Sequence, residues 1–532
     1  MADSSNTATV HIDGETLRLE DVRAVAEQGA SCAIPDPVLD RVTSNRETLD
    51  RLVRSRTPVY GVTTGFGEMV NFLISPDRET ELQTNLVRSH SCGVGDLFSA
   101  TESRAILCSR LNSLLRGYSA VRPELVRQMM LYLDEDIVPA IPEVGSLGAS
   151  GDLPPLAHAA VTLIGEGYVL GADGPVETSR VLHERDIAPL RLRFKEGLAL
   201  INGTSAMTGL GSLLVCRALD QVRQAETISA LVLEALRASA TPLAAEGHEL
   251  ARPHRGQIDS AAHMRALTAG SAALRSESEL REMARCASTG HSGDTGVERT
   301  DVFLQQAYSL RAVPQVLGAV RDALAHAEHV LRTELNSAND NPLLFEHGQV
   351  FHGANFHGQS VALVMDHACL ALTQLGVLAE RTVNRLLNRH LNGGLPGFLV
   401  GGEPGLSSGL AGSQYSATAL VAENRTIGPA SIQSIPANGD NQDVVSMGLT
   451  AARNARRVSR NNDRILAVEA VAAAQAVDAA ERYDQLSPAG RRTYDRIRGL
   501  VSTLSADRFM STDLEHMANA LGSGALLDLP GD

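Results

Sequence analysis

The sequence predicts a mainly α protein: a bundle of long helices with a loop-rich N-terminal part. Three observations carry this. Segments 206–240, 311–335, 359–390 and 448–480 are runs of Ala, Leu and Val with regular charges, built from strong helix formers and longer than ordinary helices. Aromatic residues make up 3% of 532 and Trp is absent, so the core must be aliphatic, which suits helix packing better than an aromatic-rich sheet. Polar loops rich in Asn, Gly and His, at 285–300, 336–358, 391–415 and 436–443, punctuate the runs.

In chain order, residues 8–35 read as a short strand or loop and then a helix, ended by Pro35 and Pro37. Ser44-Asn45-Arg46-Glu47 has capping-box form and opens a helix to about Arg56. A glycine-rich loop follows, Tyr60-Gly61-Val62-Thr63-Thr64-Gly65-Phe66-Gly67. Helical spacing returns over 79–92, 100–116 and 122–135. A second glycine-rich segment, Gly145 to Asp152, is closed by Pro154-Pro155. The long runs begin after Asn202, and Thr512-x-x-Glu515 caps a terminal helix. Residues 1–200 thus form the loop-rich part and 201–532 the long-helix bundle with C-terminal helices, as one continuous unit. Function is expected in the loops, because the helices offer little polar chemistry.

Composition excludes several classes. Forty-seven basic residues against 62 acidic ones leave a net charge of −15, opposite to what nucleic-acid or anionic-membrane binding needs. A single Lys is present, Lys195; the other bases are Arg. No GxxxxGK[ST] occurs, which removes the P-loop class, and only Lys195 could anchor pyridoxal phosphate. Cys32, Cys92, Cys108, Cys216, Cys286 and Cys369 show no CxxC and no close pair. They read as free thiols in a reducing, cytoplasmic compartment, not as a disulfide frame or zinc site. The opening MADSSNTATVHIDGE lacks the basic and apolar regions of a signal peptide. No membrane span is expected: the richest apolar candidate, Ile465 to Ala480, contains Glu469, Gln475 and Asp478.

The most informative triplet is Ala149-Ser150-Gly151. Read locally, it is a tight turn before a helix, with Asp152 as the cap. In the context GSLGASGDLPPLAH it resembles the signature of the aromatic amino acid ammonia-lyase and aminomutase family. There the triplet cyclises autocatalytically into 4-methylideneimidazol-5-one, or MIO. The residue types suit that chemistry. The Gly151 nitrogen must reach the Ala149 carbonyl carbon, a compression that side chains would hinder. Loss of water then leaves the Ser150 Cβ as an electrophilic methylene. Such a group captures an amino acid's amine and improves it as a leaving group, with no metal or pyridoxal phosphate.

The resemblance extends from about residue 8 to 520, in the family's order, and implies roles for further residues. Tyr60 is implied as the general base for the β proton. As a base it needs positive charge nearby, from Arg311 or helix N-termini; a lid tyrosine packing on the substrate is the other reading. The three glycines and Gly67-Glu68 suggest a mobile lid. His90, in Leu86-Val87-Arg88-Ser89-His90-Ser91-Cys92-Gly93, is implied to meet the substrate ring. Phenylalanine-directed members carry an apolar pair there, so His90 favours a hydroxylated ring. Histidine-directed members also have a His at this place.

Asn202, in Ile201-Asn202-Gly203-Thr204-Ser205, is expected to hydrogen-bond the MIO oxygen or the substrate. Tyr308 and Arg311 lie three apart on one helical face, beside Gln305. Arg311 is the natural bidentate clamp for an α-carboxylate, with Tyr308 near the MIO. Phe356 is also expected near the MIO. Asn438 and Gln442 are expected to line the site, and Glu68 and Tyr415 to bind substrate. Histidine-directed members have a glutamate at the position of Gln442, which argues against histidine as substrate. His352 and His357 read as hydrogen-bonding loop residues, with no metal.

The resemblance further implies a fumarase/aspartase-like fold and a homotetramer with each active site built from three chains, acting on a small aromatic amino acid. FKEGLALINGTS, ELNSANDNPL, VFHGANFHG and AENRTIGPAS, with Glu68, most resemble the bacterial tyrosine 2,3-aminomutase branch of enediyne antibiotic pathways. Tyrosine ammonia-lyase remains the alternative, histidine ammonia-lyase a weaker one. A MIO-free fumarase-type lyase or a non-catalytic helical scaffold are the readings from other classes.

Overall fold

The computed structural model describes residues 9–287, 297, 300 and 302–527. The greater part of the predicted polar loop 285–300 lies outside them. The first eight helices are α1 (Leu19–Glu27), α2 (Asp36–Arg54), α3 (Glu79–His90), α4 (Ala100–Leu114), α5 (Pro123–Asp134), α6 (Leu153–Leu163), α7 (Thr178–Glu184) and α8 (Glu196–Ile201). Then follow α9 (Ser205–Ala235), α10 (Arg255–Thr268), α11 (Glu277–Cys286), α12 (Tyr308–Arg311), α13 (Val313–Leu335), α14 (Gln359–Leu387), α15 (Ala411–Arg425), α16 (Gly448–Ala479), α17 (Pro488–Leu500) and α18 (Ser511–Gly522). The described strands pair only as two-stranded ribbons, such as the antiparallel Tyr168–Gly171 with Gly174–Glu177. The fold is therefore mainly α, as expected, and the four long runs are α9, α13, α14 and α16, of 31, 23, 29 and 32 residues.

The chain forms two compact units. The first comprises 1–216, 326–367 and 429–455, the second 217–325, 368–428 and 456–532. In the first, α1 packs on α4, and α3, α6 and α8 pack on one another. Helix α4 starts at a capping box: Ser99 Oγ accepts the Glu102 N–H at 3.3 Å and Glu102 accepts the Ser99 N–H at 3.0 Å. Its interior is buried nearly all round, Arg104 and Arg110 included, and both guanidiniums are satisfied by carbonyl oxygens: Arg104 by Val25 and Leu133, Arg110 by Ala199. In the second unit, polar side chains tie the helices at fixed heights. Gln221 of α9 donates to the Ser459 carbonyl of α16 at 2.7 Å, and Asn462 of α16 to the Leu372 carbonyl of α14 at 2.7 Å.

Several local expectations need correction. Pro35 and Pro37 do not end a segment: Pro35 is the N-cap of α2 and Pro37 sits in its first turn, where a missing N–H costs nothing. Ser44 is consequently mid-helix, and Asn45 instead donates to the Leu344 carbonyl at 2.8 Å. Helix α18 starts at Ser511 with Met510 as N-cap, so Thr512 is inside it and caps nothing. Among the described helices, α14 is long and apolar enough to cross a membrane by length and composition. Its most apolar window is 61% buried in the fold, and its Asp366 accepts the Ala430 and Ser431 N–H groups at 3.1 and 2.8 Å.

Candidate active site

The first unit holds a cavity of about 580 Å³ where the glycine-rich loops converge. Tyr60, His90, Ala149, Ser150, Asn202, Phe356, Asn438 and Gln442 all line it. They come from six segments spread over almost four hundred residues. Its apolar walls are Phe66, Val70, Leu86, Leu153, Leu198 and Ile201, which the sequence reading did not single out. Leu198 and Ile201 had a usable signal, being three apart on one face of α8 beside Asn202.

The triplet sits in a strained turn. Ser150 has φ 53° and Gly151 φ 75°, two successive left-handed residues. A left-handed serine is costly, by roughly 1–2 kcal/mol, and must be held by its surroundings. The holding contacts are visible. Gly151 lies so close to Gly203 that any Cβ would enter its backbone. The Gly203 N–H donates to the Ser150 carbonyl at 3.1 Å, and the Gly203 carbonyl accepts the Asp152 N–H at 2.8 Å.

Asp152 stands at the N-cap of α6, as expected, but its side chain makes no capping hydrogen bond there. Its carboxylate turns inward, accepting the Ser146 hydroxyl at 2.7 Å and the Met207 N–H at 2.8 Å in the first turn of α9. Burial pushes its pKa up to about 6, against these hydrogen bonds, which hold it down. The side chain therefore fastens the triplet loop to a helix start 55 residues away.

Tyr60 closes one side. Its phenol oxygen accepts the Gly67 N–H at 2.9 Å, and its ring meets Phe66 edge-on with centroids 6.4 Å apart. Gly67 has φ 53° and lies against the Asn438 amide, so a side chain there is excluded on two counts. Gln442 reaches Ser150 Oγ with its amide nitrogen at 3.4 Å. Glu68 does not line the cavity; its carboxylate lies against Gly439 on the loop that carries Asn438 and Gln442.

His90 ends α3. Its Nδ1 lies 2.9 Å from the Leu86 carbonyl, which can only accept, and 3.0 Å from the Ser89 hydroxyl, which itself donates to that carbonyl at 3.0 Å, so this network assigns the proton to Nδ1. In the neutral ring Nε2 is then a hydrogen-bond acceptor. His352 Nε2 accepts the Tyr60 N–H at 3.4 Å, and His357 Nε2 donates to the Val444 carbonyl at 3.1 Å, so both have the hydrogen-bonding loop role expected of them.

Four expected residues lie in the second unit instead. Gln305 lines a separate cavity of about 530 Å³ with Arg237, Arg275, Arg385 and Arg482. Tyr308 and Arg311 do share a helical face: the guanidinium carbon is 4.8 Å from the ring centroid, and Arg311 Nε donates to the Gln306 carbonyl at 2.7 Å. Tyr308 is 71% exposed and Tyr415, on α15, 74%. None of the four lines the Ser150 cavity.

The family profile described as aromatic amino acid lyase matches residues 17–499. The chain belongs to that family. The MIO-dependent tyrosine 2,3-aminomutase of Streptomyces globisporus is 61% identical over 519 residues, covering 97% of this chain and 96% of that one. The tyrosine ammonia-lyase of Cupriavidus metallidurans is 55% identical over 520 residues, covering 97% of each. The crystal structure of the tyrosine aminomutase from Streptomyces globisporus superposes with a TM-score of 0.95 at 60% identity, covering 98% of both chains. The triplet fits the MIO of this family. Its residue types are right, its turn is already left-handed at Ser150 and Gly151, and Gly203 leaves no space for a side chain on Gly151.

Proposed function

We propose that the protein is a MIO-dependent tyrosine 2,3-aminomutase, converting L-tyrosine or a ring-modified tyrosine to the β-amino acid through a 4-hydroxycinnamate-type intermediate. The MIO, formed from Ala149-Ser150-Gly151, supplies an electrophile for the substrate amine. The chain's own residues do the rest. His90 Nε2 accepts the phenol hydroxyl, and this single observation carries the substrate assignment, because the Leu86 carbonyl fixes the tautomer. A phenylalanine ring would leave that half-buried acceptor unpaired. The apolar walls from Phe66, Leu86, Leu198 and Ile201 exclude water from the ring.

Tyr60 takes the β proton at its phenol oxygen, from a position steadied by the Gly67 N–H. Asn202, Asn438 and Gln442 offer polar contacts around the amine end. Arg311 binds the α-carboxylate in bidentate fashion, with Tyr308, Gln305 and Tyr415 near it, brought to the cavity from other copies in a homotetramer. The family resemblance and the remaining exposure of Tyr308 and Tyr415 support that assembly. No metal or pyridoxal phosphate takes part in this reading. The cysteine pattern supports a cytoplasmic location, and the resemblance of the quoted texts to the enediyne-pathway branch supports a role in antibiotic biosynthesis.

The second reading, tyrosine ammonia-lyase, is favoured by the 55% identity to such an enzyme. The two activities differ in whether the intermediate leaves before the amine returns. A panel of L-tyrosine, L-phenylalanine and L-histidine tests the substrate. Tyrosine should be consumed with kcat/KM at least about 100-fold above the others; equal use of phenylalanine would contradict the role of His90.

A further inference from the structure

Lys195 is the only lysine in the chain, and the reaction proposed above does not use it. It is wholly buried, as is Asp340, with which its ammonium forms an ion pair. Asp340 Oδ1 also accepts the Asn202 side-chain N–H at 3.0 Å, and the Asn341 carbonyl accepts from the same nitrogen at 3.0 Å. Carbonyl and carboxylate oxygens only accept, so the Asn202 amide is held in one orientation with its nitrogen toward them. Asn202 is followed directly by Gly203, whose N–H donates to the Ser150 carbonyl and whose carbonyl accepts from Asp152, the residue after the triplet. Gly203 is closely enclosed: a Cβ built there would lie 2.6 Å from the Asn339 carbonyl and closer still to the Arg110 guanidinium. Arg110 in turn donates to Asn339 Oδ1 at 2.9 Å.

The geometry points to Lys195 and Asp340 as a positioning pair for MIO formation, anchoring Asn202-Gly203 as the wall against which Ser150-Gly151 is compressed. It rests on the reading of the triplet as an MIO precursor. In that closure the Gly151 nitrogen bonds to the Ala149 carbonyl carbon. The carbonyl oxygen leaves as water with the Gly151 and Ser150 amide protons, as a ring C=N bond forms. The Ser150 hydroxyl leaves as a second water with the Ser150 α proton, as the Cα=Cβ bond forms. Atoms balance and no oxidant is needed. The first bond requires the Gly151 nitrogen to move toward Ala149, and a wall free to retreat would relieve the compression.

The charge has a clear purpose here. A carboxylate buried without compensation takes up a proton. Protonated Asp340 could donate to the Asn202 amide oxygen, and the amide could then turn over. The Lys195 ammonium keeps Asp340 an acceptor. A neutral acceptor in the same place should serve as well, since well-fitted neutral groups often replace buried ion pairs without loss.

Intact-mass spectra of the purified full-length chain read the fraction that has lost two waters, whether or not it turns over substrate. The wild type is expected to be fully dehydrated, and Lys195→Met to retain a major undehydrated species. Two charge-free variants separate positioning from general stability. Lys195→Met/Asp340→Asn keeps an acceptor for Asn202 and is expected to dehydrate. Lys195→Met/Asp340→Leu, with a melting temperature like that of the Asn variant, is expected to stay undehydrated. Full dehydration of the Leu variant would overturn the anchor, also if the single variant fails to fold. A wild-type chain at its full calculated mass would overturn both the anchor and the MIO reading.

Discussion

Gln442 reaches across 292 residues of sequence to place its amide nitrogen 3.4 Å from Ser150 Oγ. The contact sets the tip of the 437–442 turn, closed by reciprocal Ala437 and Gln442 backbone hydrogen bonds at 3.1 and 3.2 Å, over the predicted electrophile. The oxygen that Gln442 touches is the one lost when the MIO forms. Ser150→Ala removes that oxygen while keeping the turn, at a small strain cost already present in the serine. The variant should melt like the wild type, keep its full calculated mass and lose turnover by on the order of 10³-fold or more. Retained turnover would remove the MIO from the account.

The His90 tautomer makes a prediction about rings. His90→Phe removes the acceptor and leaves an apolar surface. The ratio of kcat/KM for tyrosine over phenylalanine should fall by roughly 10²- to 10⁴-fold, mostly through the loss on tyrosine. Steady-state kinetics on both amino acids check this, and an unchanged ratio would mean that His90 does not meet the ring hydroxyl.

The shared-site reading predicts complementation. Ser150→Ala and Arg311→Ala chains should each be inactive alone. Co-expressed, they form mixed tetramers in which some cavities join an intact triplet from one chain to an intact Arg311 from another. Activity should therefore return to a sizeable fraction of wild type. No recovery in verified mixed tetramers would place Arg311 outside the site.

Glu469 of α16 gives a pH test of stability in the second unit. Burial pushes its pKa from the ordinary 4.5 up to about 8, against the Thr382 hydroxyl. A carboxyl whose folded pKa is raised is most favourable when protonated. Its contribution is fully present below pH 4.5 and is lost as pH rises through about 8. Glu469→Gln should thus leave the melting temperature nearly unchanged near the lower value and raise it above the upper one. Parallel melting curves of the two proteins across this range, showing a constant difference, would contradict the buried neutral carboxyl.

The long helices were legible because their signal is local: Ala, Leu and Val runs set α9, α13, α14 and α16 to within a few residues. The cavity residues were legible through motifs, and eight of those expected do converge around Ser150. What failed was local reading of residues whose partners are distant. Asp152 looks like a cap for the next helix, but its carboxylate is held by Met207. Lys195 gives no local sign of a partner, and only the fold shows it paired with Asp340, 145 residues on. Ser44 and Thr512 carry capping chemistry inside helices that had already begun, because Pro35 and Met510 start those helices with no side-chain hydrogen bond. Arg311 falls in the second unit, away from the residues lining the Ser150 cavity, which its motif, read locally, did not indicate.

The account's central claim is that the amine returns to the β carbon of tyrosine. Chiral chromatography of the products from L-tyrosine and the purified protein tests it most directly. β-Tyrosine should be the main product, with 4-coumarate minor. Coumarate and ammonia in equal amounts, with no β-tyrosine, would contradict it.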